Sequence, residues 1–288
     1  MSPLAPRYAV DSPACSVLDV RGPRWFQPGD PIWRVHGDAA TPLGITTALL
    51  MLLANPAYAA VIENCGTTED PWAVDDYLHD LVEITTFGTV DDAMVTIEHT
   101  HRDRRSFSGT TEHGEYFYGS DPELLAWSLA TTAWSLLAAF QRFAARPLTV
   151  AESDEYVRQW AGLARLHGAR SFPSSVRELE QLLRSSRDRV RATAAGRLAA
   201  RHLRENARAC PGVTENSVTA HRSCTTVVDA AASLVPSDVR RALDLPHRPM
   251  DRTAVFGRIS KAHQGLNLPR LTTRAPIAAP TAMQIHPA

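Results

Sequence analysis

The sequence predicts an all-α protein: a single multi-helix bundle around two buried apolar central helices, with one small β-hairpin. Three observations carry this reading. Residues 44–62 and 124–140 contain no charged side chain, and helices that are apolar all round belong in an interior. Helix start and stop signals recur along the chain. Alternating strand patterns are nearly absent.

Each element can be argued in order. Residues 1–30 are rich in Pro and Gly and read as a loosely ordered N-terminal segment. The first charge-free run approaches the length of a membrane span, but Asn55-Pro56 interrupts it, so a buried helix pair is expected instead of transmembrane insertion. Asp70-Pro71 opens the next helix, which stops at Gly88, and a further helix runs from about Asp91 to Arg105. The stretch 105–119 (RSFSGTTEHGEYFYG) has two short alternating runs around a Gly-containing turn and is the hairpin candidate. Asp121-Pro122-Glu123 supplies a cap with Pro in the first helical position for the second charge-free run. Thr149 with Glu152, and Ser175 with Glu178, read as capping boxes. The domain then covers 31–265, roughly ten helices, and 266–288, with four prolines, is expected to be a flexible Pro/Ala-rich tail.

Composition narrows the function classes. The 288 residues, 44% apolar, can fill a substantial core. Basic and acidic residues number 30 and 31, so no global field argues for nucleic acid as partner. Residues 184–208 hold eight arginines and no aromatic, unlike a nucleic-acid groove. Four cysteines without a C-x-x-C pair exclude zinc fingers and disulfide scaffolds. The first twenty residues lack a basic start followed by an apolar run, so a cytoplasmic protein is expected, and a monomer or homodimer. Phosphate loops, G-x-S-x-G and H-E-x-x-H do not occur.

Two constellations could carry chemistry. Asp76, His79, Asp80 and Glu83 share a helix face, and Glu98 with His101 repeats a carboxylate–imidazole spacing on the next helix. Paired motifs of this kind build di-iron carboxylate sites, for which Glu63 and Glu123 would be the further ligands. Alternatively, an imidazole projecting into an apolar pocket can ligate haem iron, and arginines one turn away can pair with propionates. His101 is the candidate axial ligand, with His99 as substitute, and Arg104 and Arg105 lie on its face. His113, in the hairpin turn, reads as solvent-facing. His167, before Gly168, reads as a cation at a helix end.

A family resemblance follows from the residues themselves. The run from Gly44 to Ala57, then Thr86-Phe87-Gly88, Phe107-Ser-Gly109, Tyr118-Gly-Ser-Asp121-Pro-Glu-Leu-Leu-Ala-Trp127, and Phe140-Gln-Arg-Phe-Ala-Ala-Arg-Pro147 resembles the rubber oxygenase (latex-clearing protein) and fungal MpaB oxygenase family. Order and spacing match over about residues 35–265, closing with Leu234-Val-Pro236 and Arg240 to Pro246. The resemblance implies a globin-like helical bundle holding haem b through one histidine, and oxygen-dependent attack on a small hydrophobic substrate. The chain departs from the family pattern at Asn55, Asn64, Leu129, Trp134, Val74 and Leu78, where polar or histidine positions are usual. Arg104 stands where the family places a histidine, with His101 one turn earlier. Agreement in the core with changes in the pocket is the pattern of a retained fold with altered chemistry. It leaves three expected functions: a haem-b oxygenase with Arg104 as a catalytic partner, a non-enzymatic helical ligand-binding protein, and a di-iron oxidoreductase.

Overall fold

The computed structural model describes residues 17–205 and 218–246. Among these it contains eleven α-helices and one two-stranded sheet. In chain order they are α1 (Pro31–His36), α2 (Thr41–Leu53), α3 (Pro56–Asn64), α4 (Trp72–Phe87), α5 (Val90–Ser106), β1 (Ser108–Thr110), β2 (Tyr116–Tyr118), α6 (Pro122–Phe143), α7 (Val150–Leu166), α8 (Val176–Ser185), α9 (Ala194–Glu205), α10 (Val218–Leu234) and α11 (Ser237–Ala242). The tail expected at 266–288, and the domain end at 265, lie outside the described residues.

The two charge-free runs become the centre. In α2 every residue from Leu43 to Leu53 is buried, and α6 crosses it as its principal neighbour. Gly44 permits that crossing, because a Cβ there would stand 2.7 Å from the Leu136 Cα. Around this pair, α10, α9 and α4 pack against α2, α5 packs on α4, and α1, α7 and α8 pack against α6. The expected break falls at Asn55, whose side chain accepts from the Ala57 and Tyr58 amides and starts α3, bent by 100° from α2. One described helix, α6, is long and apolar enough to cross a membrane, and most of it is buried within the protein.

The caps show where pattern reading succeeds and where it falls short. Asp121 caps α6 and Thr149 closes a full box with Glu152. The box expected at Ser175 is only half formed: Ser175 Oγ accepts from the Glu178 amide, but the Glu178 carboxylate bonds the amide and hydroxyl of Ser174. Thr89 and Asp92 form a box on α5 that the Glu/Gln rule does not flag. The hairpin forms in register Ser108↔Tyr118, with Gly114 at φ +79° in its turn.

Residues 17–30 are held against the bundle. The Arg24 guanidinium donates to the carbonyls of Phe87, at 2.8 Å, and Val20, at 2.7 Å, and Phe26 is buried. The arginine-rich stretch is three pieces, the end of α8, a 3₁₀ turn at Arg187–Arg189, and α9. Among its described arginines five are paired with carboxylates: Arg184 with Glu180, Arg187 with Asp238, Arg189 with Glu123, Arg191 with Glu115 and Arg204 with Asp229. In the closing segment, Arg240 donates to the carbonyls of Ala232 and Val235 and ties α11 to the end of α10.

Candidate functional site

The last turns of α5 carry His101 and Arg104, both half-buried. The inner end of each is fully shielded: His101 Nε2 and Arg104 Nη1 are buried and have no hydrogen-bond partner. Opposite them stands the C-terminus of α7, where His167 is the cap residue and only 3% exposed. Its Nδ1 is likewise buried without a partner. The two imidazole rings meet edge to face, with centroids 6.3 Å apart and planes at 78°. Gly168 follows the cap at φ +92°, a left-handed conformation suited to glycine, and its Cα faces His101 Nε2 and Leu125 Cδ2, each of which would be in ordinary contact, 3.8 Å, with a Cβ there.

The electrostatics centre on the half-buried Arg104 guanidinium, with the Asp103 and Asp121 carboxylates in the same neighbourhood. Burial lowers the His167 pKa to about 3, and the nearby Arg104 and His101 charges push the same way. His167 is therefore neutral at neutral pH. Tyr58 on α3 and Tyr77 on α4 are raised by burial; the Arg104 charge opposes the rise at both, while Asp121 adds to it at Tyr58 and Asp103 at Tyr77. The Tyr77 hydroxyl lies 3.4 Å from Thr100 Oγ1. Apolar walls come from α6, where Leu125 and Trp127 are buried and the Trp127 ring lies 6.0 Å from that of Tyr58.

The other candidates disperse. Arg105 is exposed and does not join Arg104 inside; His99 is half-buried. Asp76, Asp80, Glu63, Glu98 and Glu123 are exposed, with Glu98 bonded by Arg102 and Glu123 by Arg189. Among the described residues no three His, Cys, Asp or Glu side chains come together to hold a metal. The di-iron constellation, with His79 and Glu83 on its first helix, is thus not assembled, because its spacing lies along a largely solvated face. His113 is exposed on the hairpin, within 3.2 Å of the Arg191 carbonyl oxygen. The reading of His167 as a helix-end cation is corrected: desolvation outweighs the attraction of the helix dipole.

Two buried polar groups went unflagged by sequence. His36 Nδ1 lies 2.6 Å from Thr86 Oγ1 and its Nε2 lies 3.3 Å from the Tyr156 hydroxyl, which accepts from Trp160 Nε1 at 2.7 Å and donates to the Ala133 carbonyl. This network is satisfied within the core, and burial holds His36 down at about 3. Asp75 accepts from Thr46 Oγ1 at 3.0 Å, and burial pushes its pKa up to about 7. Asp75 adjoins Asp76 in an acid-rich helix, and no local pattern tells which of the carboxylates turns inward.

Departures from the family pattern have structural roles here. Asn55 is the α3 cap, and Val74, Leu78, Leu129 and Trp134 pack into the apolar cores. Asn64 is exposed. Comparison with family models matches residues 33–264 to the domain described as ER-bound oxygenase mpaB/B'/Rubber oxygenase, catalytic domain. No curated protein and no solved structure matches the chain. Since the match spans most of the chain and the fold is all-α, this protein belongs to the mpaB/rubber oxygenase catalytic-domain family.

Proposed function

We propose that this chain is a haem-b-dependent oxygenase acting on a small hydrophobic substrate, with His101 as the iron ligand and Arg104 as the partner of a haem propionate or of iron-bound ligands. The observation that carries the reading is the pair of buried, unpartnered groups at the inner face of α5. An imidazole nitrogen with no hydrogen bond is free to present its lone pair, and a guanidinium N–H with no acceptor suits a carboxylate. The donor set therefore fits the group, and the family's oxygenase assignment agrees with it. Bound haem would supply the redox-active iron needed for oxygen chemistry.

The chain's own residues then do the rest. His101 holds, Arg104 neutralises, and the neutral His167 adds a hydrogen-bonding group without adding charge. Leu125 and Trp127 keep water from this end of the site. A second reading, a helical ligand carrier without catalysis, draws on the apolar residues at Val74, Leu78, Leu129 and Trp134, which fill positions where the family is usually polar.

The test is haem reconstitution of the purified full chain. A Soret band should appear in the wild-type protein and in His113→Ala, and should vanish in His101→Ala. Failure of the wild-type protein to take up haem would end the proposal and leave the carrier reading.

A further inference from the structure

We infer that Arg104 and His167 form a recognition site for a single carboxylate carried on an otherwise apolar molecule. Arginine keeps its charge under all ordinary conditions. The described arginines of the 184–191 segment meet Glu or Asp, and Arg24 meets carbonyls. Arg104 differs: among the described residues no carboxylate bonds it, although its Nη1 is buried. A buried donor without an acceptor is rare in folded proteins and asks for an external partner.

The surroundings select the sign and the size of that partner. The imidazole of His167 and the phenols of Tyr58 and Tyr77 lie in the field of Arg104, and the carboxylates of Asp121 and Asp103, which act on the same two phenols, make no hydrogen bond to it. A metal ion would face the repulsion of Arg104, whereas an anion is attracted. One cation balances one negative charge, which favours a carboxylate over a phosphate dianion, and the planar fork of arginine matches a carboxylate in shape. His167 Nδ1 can carry the tautomeric proton and add a second donor. Leu125, beside Gly168, and Trp127, beside Tyr58, give this neighbourhood its apolar side. For the apolar part of the ligand, and only for that, the inference rests on the proposed function.

The carboxylate has two possible sources, a haem propionate or a separate acid, and one experiment separates them. Calorimetric titration of the haem-free full chain with octanoate and octanamide comes first. Octanoate should bind about tenfold or more tightly than octanamide, and Arg104→Gln should erase the difference, with His167→Phe reducing it. Equal binding of octanoate and octanamide by the wild-type protein would overturn the inference, and this comparison needs no variant. Titration with haem and with haem dimethyl ester follows. Displacement of octanoate by haem but not by the ester assigns the site to a propionate. Octanoate retained beside bound haem assigns it to a separate acid. Because octanoate binding is read without haem and the proposed function is read from the Soret band, either can fail without the other.

Discussion

At the level of single residues, three buried ionisable groups set opposing pH responses. His36 and His167 have folded pKa values near 3, against 6.5 for a free imidazole. The unfolded chain therefore takes up protons first, and stability falls as pH drops below 6.5. Asp75 is raised to about 7 from 3.8, so the folded state binds the proton first and stability rises as pH drops through the same window. Each group changes stability by about 1.4 kcal/mol per pH unit where its two states differ fully. Asp75 thus offsets about one histidine between pH 6 and 5, and the raised carboxyl of Asp76 acts in the same direction. Asp75→Asn removes the Asp75 offset, so its stability should fall more steeply than that of the wild-type protein, by about 1.4 kcal/mol over that window. Urea midpoints at pH 7.5, 6 and 5 measure this, and parallel profiles for the two proteins would contradict it.

At the level of elements, the crossing of α2 and α6 is set by Gly44. A methyl group there meets the Leu136 backbone at 2.7 Å and must push the two central helices apart. Gly44→Ala should cost about 1–3 kcal/mol, the usual penalty for overpacking a filled core, whereas Gly29→Ala, with nothing within 4 Å, serves as the control. Thermal or chemical denaturation gives the answer, and equal midpoints for the two variants would refute the close-approach argument. Much at this scale was legible from the sequence, because charge-free runs and caps are local signals. Asn55-Pro56, Asp121-Pro122 and Thr149 with Glu152 all start helices where their chemistry says they should. The half-formed box at Ser175 was not legible, since the choice of Glu178 between Ser174 and Ser175 depends on backbone geometry that the motif does not encode.

For the molecule as a whole, the all-α architecture and the family followed from residue order and spacing, and the match over 33–264 agrees. The site was legible only in half. His101 and Arg104 share a helix and announce themselves by their spacing, but Arg105, on the same turn, faces outward. His167 arrives from the far end of α7, and no local pattern reports a contact between two segments so distant in sequence. The pairing of the arginine-rich pieces with Glu115, Glu123, Asp229 and Asp238 is of the same long-range kind. Pattern reading sees one element at a time, and these features belong to pairs of elements.

The meeting of α5 with the tip of α7 brackets everything between them, the hairpin and the whole of α6 included. A guest gripped from both sides would act as a clasp on that long loop, tightening it as a buckle tightens a belt. Amide deuterium uptake in the hairpin and in the first turns of α6 should slow when octanoate is added, and should be indifferent to octanamide.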